Sequence, residues 1–226
     1  MKNKSYIGIS FIILIFGIIF IPKIIDRIKN GTIVQNDRMS LSNEIVKGET
    51  LQKVGPTPKF ELTDQNNTKI SNKNYEGKVY VLEFFFSTCP SICPRMNKNM
   101  IQIQNKFLEN GNFAIASITI NPENDTPAVL KEHAKKLGVT SDNWHFLTGN
   151  KEDIFNLANK GFNLYVGENN KAVGNFEHSG LFALIDKKGN IRCRKDQQGN
   201  PIIYYDGLEK EGVQAIEDDI KVLLNE

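Results

Sequence analysis

Eight consecutive residues, Val79-Tyr-Val-Leu-Glu-Phe-Phe-Phe86, constrain the fold more than any other part of the chain. A nearly unbroken run of that length, rich in β-branched and aromatic side chains, reads as a strand buried on both faces. Such strands lie in the middle of a sheet covered by helices on either side. A turn at 75–78 precedes the run, and Ser87-Thr-Cys-Pro-Ser-Ile-Cys-Pro94 follows it without a spacer. The prolines and the change of periodicity beyond them place this second segment where a strand ends and a helix begins.

The rest of the chain alternates in the same way. Met96, Met100, Ile103 and Phe107 recur on one side of a helix predicted over 94–108, which Gly111 ends. A strand is expected over 113–120. Thr126 and Pro127 are suited to the N-cap and first position of a helix reaching Leu137, because the amide that proline lacks is unpaired there in any residue. A short strand over 144–147 and a helix opening at Asn150, with Asp153 three residues on, come next. A strand over 181–185 turns through 186–190 into a partner at 191–193, and a helix over 209–224 buries Val213, Ile216, Ile220 and Leu223. Upstream, 55–58 is a turn-prone entrance to a hairpin formed by 60–63 and 69–70. The order implies an α/β fold, a central mixed sheet flanked by helices, over a domain spanning 53–226.

The N-terminus adds a different element. Lys2 and Lys4 precede an apolar run over 6–21, after which come Pro22, Lys23, Arg27 and Lys29. This pattern predicts an N-terminal transmembrane helix within a membrane anchor at 1–29, with lipid as one partner, joined to the domain by a polar spacer at 30–52. No small-x-small cleavage site follows the run. The basic head favours a single pass through the inner (cytoplasmic) membrane, with the domain on the periplasmic or extracytoplasmic side. A formal net charge of +2 and the absence of a Lys/Arg stripe exclude a nucleic-acid footprint.

The chemistry concentrates at Cys89 and Cys93. Ligands commonly bind at the carboxyl ends of strands in α/β sheets, and unpaired amides at a helix start favour anions, so both thiols are expected as thiolates. If both residues are helical or nearly so, four-residue spacing aims both sulfurs from one face, within reach of one ion or of each other. Taken alone the C-x3-C spacing leaves a metal site, a dithiol redox pair and a structural disulfide open. His178, in Asn175-Phe-Glu-His-Ser-Gly180 just ahead of the strand at 181–185, is expected on a loop that can meet the first one. Two thiolates and an imidazole would suit copper, held at an exposed site, better than calcium or magnesium, which take oxygen ligands. His133, in mid-helix, and His145, beside Trp144, are read as structural or surface groups. Cys193 is read as a small filler on its strand.

At this point the segment 88–94 resembles the signature of the SCO/SenC family, copper-binding assembly factors for cytochrome c oxidase. The resemblance covers about 50 to 226 and implies a thioredoxin-like fold on a single membrane anchor. It implies one copper ion per chain, bound by Cys89, Cys93 and His178, and delivery of that copper to the dinuclear centre of cytochrome c oxidase subunit II. An upstream copper chaperone or thiol reductant would be further partners. Asn121-Pro-Glu-Asn-Asp125 is similar to the family's acidic loop, in which two aspartates stand four apart; here Asn121 replaces the first and only Asp125 matches. The alternative is a membrane-tethered thiol-disulfide oxidoreductase with Cys89 and Cys93 as its redox pair, reducing the cysteines of that same copper site. Against it stand a motif that is not C-x2-C and the lack of any proline between Pro127 and Pro201, where such enzymes carry a cis-proline.

Overall fold

A computed structural model describes residues 10, 14–16, 18, 20–22, 51–169 and 176–226. The chain divides into two units, Met1–Ser40 and Leu41–Glu226. In the second, β1 (Gln52–Pro56), β2 (Glu61–Asp64), β3 (Lys69–Ser71), β4 (Val79–Phe85), β5 (Phe113–Thr119) and β6 (Trp144–Thr148) build most of the sheet. The two-stranded pair β7 (Val166–Glu168) and β8 (Phe176–His178) stands apart from it. β9 (Leu181–Ile185) and β10 (Asn190–Lys195) complete the path, with β11 (Pro201–Ile202) beside β10 and β12 (Tyr205–Asp206) beside β9. The order is β1-β10-β9-β4-β5-β6-β2-β3. β4, β5 and β6 run parallel, in register from Val79 opposite Phe113 to Phe85 opposite Thr119, and the other pairs are antiparallel. The mixed sheet expected from the alternating pattern is therefore present.

Four helices cross it: α1 (Cys93–Phe107), α2 (Pro127–Leu137), α3 (Lys151–Asn156) and α4 (Lys210–Asn225). Their starts follow local chemistry. The Thr126 hydroxyl accepts from the Val129 amide, and the Asn150 side chain accepts from the Asp153 amide, each pairing a donor that the first helical turn leaves free. α2 ends on Gly138 in the left-handed region, at φ 79°, whose amide returns to the carbonyls of Ala134 and Lys135. α3 continues into a π-helical turn at Leu157–Phe162 rather than running on as one helix toward Asn159.

Every residue of β4 is buried, Glu83 included. Alternation sorts the strand into two faces. Phe85 stacks on His133 of α2 with ring centroids 5.5 Å apart, so Glu83 and Val81 share the face that α2 covers. Phe84 meets Phe162 at 6.0 Å and Phe86 meets Phe176 of β8 at 5.4 Å, which places the other face against the π-turn and the β7–β8 pair.

Two expectations change. Residues 52–56, read partly as a turn, form β1 against β10; Pro56 is tolerated because β1 is the edge of the sheet and Pro56 its last residue. The N-terminal transmembrane helix and the single-pass inner-membrane topology built on it are corrected. Among the described residues no helix is long and apolar enough to cross a membrane. Ser10, Leu14–Phe16, Ile18 and Phe20–Pro22 are helical, and the remainder of the expected anchor lies outside the described residues. The physical shortfall is length: the run over 6–21 would rise only about 24 Å at ~1.5 Å per residue, against about 30 Å of hydrocarbon. The polar spacer lies outside the described residues up to 50.

Candidate metal centre

Cys89, Cys93 and His178 meet at the carboxyl end of β4. One donor atom from each lies within 4.8 Å of the other two. Cys89 sits in the turn that follows the strand, its amide donating to the Phe86 carbonyl at 3.2 Å, and Cys93 is the first residue of α1. Only the second cysteine is helical. The turn brings the sulfurs together in place of the shared helical face expected from the spacing. His178 arrives from β8, where it pairs with Val166, and not from a loop. Its ring stands edge-on to Phe86 at 5.8 Å, so the last apolar residue before the cysteine loop also orients the imidazole.

The imidazole is poised to donate an electron pair. His178 Nδ1 lies 3.1 Å from the Ser179 carbonyl oxygen, which can only accept, so Nδ1 carries the hydrogen. Nε2 is left with its lone pair and faces Cys93 Sγ at 3.1 Å. A second ring nitrogen anchored on a backbone carbonyl is the usual arrangement behind a metal-binding histidine.

The two thiols are unequal. A hydrogen bond from Cys93 draws the Cys89 thiol well below its usual range; burial opposes this, and His178 and Ser91, whose Oγ is 3.5 Å away, assist. Cys93 is pushed in the other direction by the same bond, by burial, and by the charges of Cys89 and Glu83. The contact between them thus makes Cys89 the more acidic thiol and Cys93 the less acidic, where helix-start amides alone would favour the thiolate of both. Both cysteines are buried and free, and His178 is half-buried, so the site is less open than expected.

The other candidates fall away from this centre. His133 is wedged between Phe85 and Phe146 with its Nε2 buried and unpaired, and burial lowers its pKa. His145 Nδ1 lies 3.3 Å from Asp64 Oδ2, and its pKa is likewise lowered by burial. Cys193 is buried in β10 opposite Gln52, and burial raises its thiol to about 11. Asp125 is fully buried beside the cysteine loop, where its carboxylate receives Ser87 and Thr119.

Two sulfurs and one imidazole nitrogen, with no carboxylate among them, form a site for a single soft ion, and copper is the ion that this donor set suits. A thioredoxin-like α/β domain with such a site at its strand-to-helix loop defines a class of metal-handling proteins in which the dithiol can also undergo redox exchange. The SCO1/SenC family model matches residues 49–211, and the chain belongs to that family. It is 32% identical over 166 residues to the SCO1 protein homolog of Bacillus subtilis (strain 168), covering 72% of this chain and 79% of that one. Among solved structures it resembles BsSco, described as a member of the Sco family of cytochrome c oxidase assembly proteins with a disulfide switch. The TM-score there is 0.65 at 28% identity, over 78% of this chain and 98% of that one. Yeast Sco1 with copper bound superposes with a TM-score of 0.54 at 26% identity, over 74% and 88% of the two chains.

Proposed function

We propose that this protein carries one copper ion on Cys89, Cys93 and His178 and delivers it to the dinuclear copper centre of cytochrome c oxidase subunit II during assembly. The observation that carries the reading is the convergence of two thiols and a free imidazole lone pair, from positions 85 residues apart, onto one point. The copper bound by the yeast relative and the assembly role of BsSco support it.

Copper is cargo in this scheme. Loading displaces the proton held by Cys93, so uptake releases a proton and tightens as pH rises. The Cys89 thiolate, already ionised, is the first donor to an arriving ion, and the Nε2 lone pair completes the set. Three ligands leave a side open from which an acceptor thiolate or imidazole displaces them in turn. An upstream copper chaperone or a thiol reductant supplies copper or keeps the pair reduced.

The unequal thiols favour a second reading, thiol-disulfide exchange with the cysteines of the acceptor's copper site. There the Cys89 thiolate would attack an acceptor disulfide and form a mixed disulfide, releasing one acceptor thiolate. Cys93 would then lose its proton and attack Cys89, leaving an internal disulfide here and a reduced dithiol on the acceptor.

Copper-to-protein ratios after dialysis test the site. The native chain and Cys193→Ser are expected to retain one copper, and Cys89→Ser and Cys93→Ser close to none, because oxygen is a poor donor to a soft ion. Equal loss in Cys193→Ser would show that the ligands are misassigned. Mixing the copper-loaded protein with a subunit II domain whose cysteines are already reduced separates the two readings: transfer builds the acceptor's dinuclear copper absorption, whereas a pure reductase leaves it absent.

A further inference from the structure

The acidic loop beside the site poses a question that the three ligands leave unanswered: what a fully buried carboxylate does next to a copper-binding turn. Asp125 immediately precedes the N-cap of α2 and has no exposed surface. Its Oδ2 accepts from the Ser87 amide at 3.0 Å and from the Thr119 hydroxyl at 2.5 Å. Its Oδ1 accepts from the Ser87 hydroxyl and from Asn124 Nδ2, the latter at 2.7 Å. Each oxygen therefore takes two donors, which uses the acceptor capacity that a carboxylate has in its plane. Nothing is left over for a metal ion. An amide cannot replace it, since its NH2 would face two donors.

The donors join three elements. Thr119 is the last residue of β5, Asn124 belongs to the loop before α2, and Ser87 is the second residue after β4 and lies two before Cys89. Between Ser87 and α1 the backbone has a further tie in the bond from the Cys89 amide to the Phe86 carbonyl, and α1 starts from the Ile92 carbonyl. The direction in which the chain leaves the sheet, and so where Cys89 Sγ stands relative to Cys93 and His178, is fixed at Ser87 by two bonds to one carboxylate.

We propose that Asp125 is the positioning residue of the copper site: it is not a ligand, and it clamps the turn that presents Cys89. The clamp also explains why Asn121 serves where the family has an acid. Asn121 acts through its backbone, its carbonyl accepting from the amides of Asn124 and Asp125 and its amide donating to the Thr119 hydroxyl. Any side chain permits those bonds. One charge suffices, and it is the buried one.

The inference rests on the copper reading above, and the purified full chain tests both. Copper(I) affinity is measured by competition with a chromogenic chelator, the copper(II) thiolate absorption is recorded, and thermal unfolding of the metal-free protein reports the fold. Asp125→Asn is expected to weaken copper(I) by about 10- to 100-fold, as loss of an outer-shell partner commonly does, and to shift the absorption. Ser87→Ala, which removes one donor and leaves the carboxylate intact, is expected to shift the absorption while the chain stays folded, so the test survives if Asp125→Asn does not fold. Thr119→Val takes a donor from the same carboxylate but leaves both Ser87 bonds; it is expected to lower the unfolding temperature without changing affinity or absorption. Native affinity and absorption in both Asp125→Asn and Ser87→Ala would overturn the clamp, as would Thr119→Val weakening copper as much as Asp125→Asn. A native chain that binds no copper would instead overturn the copper reading and the clamp with it.

Discussion

Glu83 should make the protein less stable as pH rises from 4.5 to 7, and Glu83→Gln should abolish that dependence. The carboxyl is completely buried in the middle of β4, where Ser117 Oγ donates to Oε1 at 2.7 Å and is itself held by Trp144 Nε1 at 2.9 Å, while Oε2 has no partner. Burial pushes it from an ordinary 4.5 up to about 7, against the smaller opposing effect of the Ser117 bond. Between those values the folded chain keeps a proton that the unfolded chain gives up. Stability is therefore greatest below the unfolded value, falls as pH rises through the window, and is level above the folded value. At about 1.4 kcal/mol per pH unit the loss is about 3 kcal/mol, a large share of a typical domain's stability. The measurement is urea unfolding of the reduced protein at intervals from pH 4 to 8, followed by the fluorescence of Trp144, the chain's single tryptophan. Other titrating groups are common to both proteins, so the difference between the curves isolates Glu83. The native protein should lose about 3 kcal/mol relative to the variant across the window. Parallel curves would refute the argument, because they would mean that the carboxyl ionises in the fold as freely as in water.

Two further outcomes follow from the geometry. His178→Ala should weaken copper(II) more than copper(I) and shift the thiolate absorption, since the oxidised ion depends more on nitrogen, yet leave most dithiol exchange intact; unchanged copper binding with collapsed exchange, read by metal titration and a disulfide-reduction assay, would favour the reductase. Gly212→Ala should destabilise the fold by about 1–3 kcal/mol despite alanine's better helix propensity of about 1 kcal/mol. The added Cβ would lie 2.2 Å from the Asp206 carbonyl oxygen, and an unchanged urea midpoint would show that this contact relaxes freely.

What could be read in the sequence was whatever local chemistry decides. β4 is evident as an apolar run, α2 from its Thr126-Pro127 start, and α4 from its buried stripe, because each signal sits within the element it specifies. The pairing of β7 with β8 was not legible, since strands of three residues carry too little pattern and their register depends on Val166 finding His178. The three residues that converge could be named from residue types and the family resemblance, but the unequal acidity of the two thiols could not. It arises from a sulfur-to-sulfur contact across a turn, whereas the sequence suggested only the helix start. Asp125 was visible as a matching acid, yet its partners are 38 and 6 residues away, so its burial and its bonds emerge only when β4 and β5 lie side by side. The N-terminal run is legible as apolar, yet among the described residues no helix is long and apolar enough to cross a membrane.

The two parts of the metal centre differ in how they are attached to the protein. Cys89 and Cys93 stand at the end of a central strand of the ten-stranded sheet, whereas His178 belongs to a strand pair outside that sheet. In the proposed transfer its imidazole would therefore act as a tethered ligand, competing with an acceptor's donors through an effective concentration and not through bond strength alone. That concentration depends on how firmly β8 is held against the domain, and Phe86 touches the rings of both Phe176 and His178. On that proposal, how readily the cargo is surrendered would be set in part by a phenylalanine that offers the metal no electron pair.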